Sequence, residues 1–100
     1  MDIVNKIKYQ EVNKPKSLKK GQLRAWHIPQ VPMQPFWIYV SSPKEAKFVL
    51  EILAVYDLFQ LNQKIKPDYS NAQGLEVFEN NEWSEWQDEE GEDIDNTQLF

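Results

Sequence analysis

The stretch SPKEAKFVLEILAVYDLFQLN, residues 42–62, constrains the fold more than any other part of the chain. It opens with a helix-start signature. Ser42 fits the N-cap, Pro43 the first helical position and Glu45 the third. The serine oxygen can accept from the Glu45 amide, and the Glu45 carboxylate can reach back to the Ser42 amide. A helix is predicted from about Pro43 to about Leu61. Ala46, Val49, Leu50, Leu53 and either Tyr56 or Asp57 follow the spacing of one face. Phe48, Ile52, Val55 and Phe59 put large apolar groups on the others. A helix lying on a single sheet needs one apolar stripe, and this one is apolar nearly all round. Either the N-terminal segment wraps it as a deep core helix, or its spare face is a subunit interface. The second reading is favoured, because a two-layer domain of this size does not easily wrap a helix. A homo-oligomer, dimer or tetramer, is expected.

The chain has 100 residues, which suits a single domain. Short apolar segments surround the helix. QLRAWHI alternates Leu23, Ala25 and His27 against Arg24, Trp26 and Ile28, as a strand does. PQVPMQP carries three prolines and reads as a connector. FWIYV, residues 36–40, is rich in β-branched and aromatic residues with both faces apolar, so it is predicted to be central and covered on both sides. GLEVFEN begins a strand at Gly74, and NNEWSEW begins another after an Asn80–Asn81 turn. IVNKIKYQEV is a marginal strand through Ile3, Ile7 and Tyr9. The fold class is α+β: a small, mainly antiparallel sheet with one principal helix on it, in β-β-α-β-β order.

Charge is uneven along the chain. The net charge is -5, yet Lys6, Lys8, Lys14, Lys16, Lys19, Lys20 and Arg24 crowd the first quarter. Acids crowd the end from Glu82 to Asp95. Residues 1–20 read as a basic segment free to move, and 88–100 as an acidic tail too polar to add core. Such polarity is most often a solvated surface.

The chemistry of enzymes finds little support. Phosphate-loop, dinucleotide and nucleophile-elbow glycine motifs are absent. With no cysteine, there is no disulfide framework or thiolate metal site. His27 is the only histidine and reads as structural or exposed. The clustered acids suit a divalent cation in type but lack an ordered calcium loop. No catalytic residue, metal or cofactor is therefore assigned. No apolar run is long enough to cross a bilayer and none resembles a signal peptide, so an intracellular protein without membrane contact is expected.

The segment IKPDYSNAQG, residues 65–74, is the densest in turn formers. Pro67 fixes the backbone, Asp68 and Asn71 are suited to Asx turns, and Gly74 to a positive φ. One reading is a rigid connection closed by its own side chains. The other is a ligand loop carried by a firm scaffold.

The motifs YDLFQ, IKPDYSNAQGLEV and EWSEWQDEEGEDID resemble a family of small tailed-phage proteins labelled superinfection exclusion proteins. The resemblance runs from about Phe36 to Asp95. The chain also resembles anti-CBASS sponges, phage proteins that sequester cyclic nucleotide immune signals as oligomers without cleaving them. That likeness implies a cyclic oligonucleotide ligand, a homo-oligomer, the host cytoplasm and no nucleic acid polymer as partner. Candidate ligand residues are chosen by chemistry. Tyr69 or Trp26 would stack a base, and Lys66 or Arg24 would meet phosphate. Asp57, Gln60, Asp68 and Asn71 would read base edges or hold the loop. The alternatives are superinfection exclusion by another route, or an acidic protein-binding inhibitor of a host defence enzyme.

Overall fold

The computed structural model describes residues 8–10 and 19–98. Five strands form one antiparallel sheet: β1 (Lys8–Gln10), β2 (Leu23–Ile28), β3 (Phe36–Val40), β4 (Ala72–Glu79) and β5 (Glu82–Glu85). The helix α1 (Pro43–Asn62) lies between β3 and β4 in the chain. The strands stand in the order β1-β3-β2-β4-β5. The predicted β-β-α-β-β order holds for the body of the fold, with β1 as a short strand added beside β3. The rest of the N-terminal reading, residues 1–7 and 11–18, falls outside the described residues.

Alternation on β2 decides which face carries the core. Leu23, Ala25 and His27 are buried, while Arg24, Trp26 and Ile28 are half-buried on the other side. Register carries this across the sheet. Ala25 stands opposite Ile38 of β3 and Leu75 of β4, so these side chains share the helix-facing surface. Leu23, Ala25, Ala46, Leu50, Leu75 and Ile94 form the core, with Val40, Leu53, Val77 and Trp86 packed against it.

The reading of FWIYV is corrected in part. β3 is an interior strand, paired with β1 on one edge and β2 on the other, but of its residues only Ile38 is buried, so it is not covered on both sides. The helix covers one face alone. On the other, the side chains of the sheet cover each other. The Arg24 guanidinium lies between the Trp37 and Trp83 rings, 3.9 and 4.1 Å from their centroids, and its Nη2 is 2.8 Å from Glu76 Oε1. Tyr39 stacks on Trp83. Cation–π contact and aromatic stacking do there what a second layer would otherwise do.

The helix starts as its sequence dictates. Glu45 N donates to Ser42 Oγ at 3.1 Å. The Glu45 carboxylate reaches one residue further back than expected and accepts from the Ser41 amide at 2.9 Å. At the other end Lys64 N donates to Leu61 O and Ile65 N to Gln60 O, the paired bonds of a Schellman stop. That stop places Lys64 at φ 62°, where glycine is usual. The Asn80–Asn81 turn forms as predicted, with φ values of 54° and 62° joining β4 to β5.

Two further expectations are overturned. Gly74 is not a turn residue: it sits inside β4 opposite Trp26. A β-carbon there would lie 2.6 Å from the Trp26 indole nitrogen, so the glycine makes room for a cross-strand ring. Residues 88–98 are not a free tail either. Ile94 is a core residue and Thr97 is buried. Asp88 accepts from the Glu90 and Glu92 amides and from Thr97 Oγ1, closing the turn that turns Ile94 inward. Lys47 Nζ donates to the Ile94 carbonyl at 2.9 Å. Acidic residues on one side of this segment hid two inward-facing ones on the other.

Candidate functional site

Asp57 lies on the core side of α1, in phase with Ala46 and Leu50. A carboxylate there needs compensation, because burying a lone charge costs far more than one helix face returns. The structure supplies it from two segments. Lys66 Nζ, from the loop after the helix, is 3.2 Å from Asp57 Oδ1. His27 Nε2, from β2, is 2.8 Å from Asp57 Oδ2, a close electrostatic contact directed off the axis of a regular hydrogen bond. Asn71 Nδ2 donates to the same oxygen at 2.9 Å. His27, Asp57 and Lys66 are 1%, 2% and 9% exposed.

Outer contacts hold the cluster in place. Lys66 Nζ also donates to the Pro29 carbonyl. His27 Nδ1 is 3.0 Å from Gln73 Oε1, and the Phe36 ring meets the imidazole edge-on. Histidine, aspartate and lysine in contact suit proton transfer, but each of these groups is enclosed and turned to a partner inside the protein. The arrangement ties the 63–71 segment to the central strand and the helix.

The proposed ligand residues therefore divide. Asp57, Lys66 and Asn71 meet in the buried cluster. Lys66 is not a free cation for phosphate, and Asn71 holds a carboxylate rather than an Asx turn. Asp68 is exposed and accepts from Gln30 Nε2 at 2.7 Å. That bond and one from Ser70 hold its carboxyl below the usual carboxylate value of 3.8. Tyr69 is exposed beside the helix, its hydroxyl donating to the Ala54 carbonyl at 3.2 Å. Gln60 is half-buried, and its carbonyl serves the helix stop. Arg24 and Trp26 lie on the opposite face of the sheet from Asp57, with Arg24 engaged by Glu76. The eight residues do not converge on one cleft.

Sequence reasoning missed His27 as a partner of Asp57. A signal was present: an aspartate in the core stripe of a helix requires a buried donor, and His27 falls on the apolar phase of its strand. Among the described residues, no group of three or more His, Cys, Asp or Glu is placed to hold a metal ion. Nor is any helix among them long and apolar enough to cross a membrane.

The helix surface opposite Asp57 is the other candidate. Phe48, Ile52, Val55 and Phe59 are 58%, 52%, 66% and 55% exposed. Tyr56 and Leu58 flank them, also exposed. The four residues chosen from sequence as an interface are thus uncovered on one side of α1.

The family model described as superinfection exclusion gene product 17 matches residues 22–99. The chain belongs to this family. A superinfection exclusion protein of Salmonella phage P22 is 53% identical over 58 residues. The aligned segment takes in 58% of this chain and 56% of that relative. No solved structure matches the chain. The family match runs from the start of β2 through the C-terminal segment, so it includes the buried cluster, α1 and the docked residues 88–98.

Proposed function

We propose that the chain acts in superinfection exclusion as a non-catalytic binding protein in the host cytoplasm, with the outer face of α1 as its contact surface. Family membership supplies the biological role. The observation that carries the mechanism is the exposure of Phe48, Ile52, Val55 and Phe59, each more than half uncovered on one helix face. Contiguous apolar surface of this kind marks an interaction site in a soluble protein. The groups suited to catalysis, His27, Asp57 and Lys66, are committed to one another.

The test is exclusion itself. Bacteria expressing the chain are challenged with a panel of tailed phages and plating efficiency is measured. Ile52→Glu and Val55→Glu should abolish exclusion while the purified variants keep the parental melting profile, because both side chains point to solvent. Full exclusion by both variants overturns the proposed surface.

A finer reading is capture of a cyclic nucleotide. The exposed Tyr69 ring favours it. Lys66 and Arg24 do not, since Asp57 and Glu76 already engage them. The purified protein is mixed with cyclic di- and trinucleotides, freed of unbound ligand and heat-denatured. Intact nucleotide released from the parent but not from Tyr69→Ala supports capture, and absence of any nucleotide rejects it.

A further inference from the structure

The outward residues of α1 have an order that bears on what covers them. Phe48, Ile52, Val55 and Phe59 are separated by four, three and four positions. This is the spacing of an apolar seam that packs against another helix at a shallow angle, roughly 20°. The seam lies directly opposite the core stripe of Ala46, Leu50 and Asp57, at about 100° per residue around the helix. Reversing the direction of the helix leaves the pattern unchanged: aromatic, aliphatic, aliphatic, aromatic. A two-fold interface demands such self-complementarity, because each patch meets its own copy.

We infer that the partner on this face is a second copy of the chain, with the two α1 helices antiparallel across a two-fold axis between Ile52 and Val55. The inference rests on the reading of this face as the working surface, and names its occupant. In that register Phe48 of each copy meets Phe59 of the other, and Ile52 meets Val55. Glu51 and Tyr56 lie on opposite flanks of the seam, and the two-fold axis sets each flank against its own copy. Lys47 lies 3.9 Å from Glu51 within its own helix and steadies that carboxylate. Tyr56, Leu58 and Tyr69, all exposed, widen the patch. Aromatic side chains bury about 150–250 Å² each, so the half-uncovered seam and rim present on the order of 600 Å² per copy, approaching the roughly 800 Å² per partner of a stable complex.

Sedimentation equilibrium at micromolar concentration should give twice the single-chain mass of 11.9 kDa. Ile52→Glu should give the single-chain mass with an unchanged circular dichroism spectrum. The sequence has no cysteine, so introduced thiols report geometry without interference. Phe48→Cys mixed with Phe59→Cys should yield a disulfide-linked pair on mild oxidation, and Phe48→Cys alone should not. Linkage of Phe48→Cys to itself, with no mixed pair formed, overturns the antiparallel register. A single-chain mass for the parent overturns self-association. If that monomer still loses exclusion through Ile52→Glu, the face meets a different protein and the functional reading stands. If the parent is a dimer and the monomeric Ile52→Glu excludes phage fully, pairing is real and the functional reading fails.

Discussion

Gly74 has no space for a β-carbon, since the Trp26 indole occupies the place one would take. Gly74→Ala should therefore cost about 1–3 kcal/mol, the usual range for overfilling a packed site. Thermal unfolding should show a fall of roughly 4–8 °C per kcal/mol. Combining it with Trp26→Val should cost less than the two changes summed, because the clash disappears with the ring. Strict additivity would mean that Trp26 does not confine the glycine. Lys64 poses the reverse case. It holds a positive φ of 62° at the helix stop, where a β-carbon is unfavourable. Lys64→Gly should stabilise the fold by about 0.5–1 kcal/mol, the relief of strain being partly offset by the entropy that glycine loses on folding. A lower midpoint in urea would show that the lysine side chain contributes more than its backbone costs.

Among the elements, the C-terminal segment 86–98 behaves as part of the core. Deleting residues 88–100 removes Ile94 and Thr97, both buried, and should unfold or severely destabilise the chain. Ile94→Ala alone should cost about 2–5 kcal/mol in chemical denaturation. An unchanged midpoint would mean that the segment only rests on the core. Its turn also responds to acid. The Thr97 hydroxyl bond, followed by the backbone amide of Glu92, holds the Asp88 carboxyl below its ordinary value of 3.8. A depressed folded value means that the folded state favours the charged form. The stabilising contribution is therefore complete above about pH 4–5 and is lost as pH falls through the folded value. Asp88→Asn should melt below the parent at neutral pH, and the gap should narrow as pH drops below 3.8. A gap that widens in acid would refute the assignment.

Over the whole molecule, the buried cluster joins parts that are distant in sequence: β2 through His27, α1 through Asp57, and the following loop through Lys66 and Asn71. Asp57→Asn leaves the Lys66 charge enclosed without its counter-ion. The expected loss is about 3–5 kcal/mol, since breaking a buried pair strands the remaining charge. Asp57→Asn with Lys66→Met should recover much of that loss, because no uncompensated charge is left. Equilibrium urea unfolding of both variants separates the outcomes. A single variant within about 1 kcal/mol of the parent would show that water reaches Lys66 and the cluster is not a lock.

What the sequence determined by itself was local. The serine–proline–glutamate start of α1, the Asn80–Asn81 turn and the alternation of β2 are fixed by neighbours a few residues apart, whose sterics and hydrogen bonds act before any packing does. The over-apolar helix was also legible, since its exposed residues at 48, 52, 55 and 59 are a property of spacing. Tertiary structure decided the rest. Gly74 looked like a turn former until Trp26 was placed opposite it. Lys66 looked like a free cation until the fold carried Asp57 to it. The acids after Asp88 looked like a solvated tail until Ile94 was found beneath them. In each case the deciding partner is set by the fold: Trp26 and the core that receives Ile94 lie far away in sequence, and Asp57 lies across the end of α1 from Lys66. Only the sheet register and the docking of α1 bring it within contact distance, where burial makes charge pairing and shape fit compulsory.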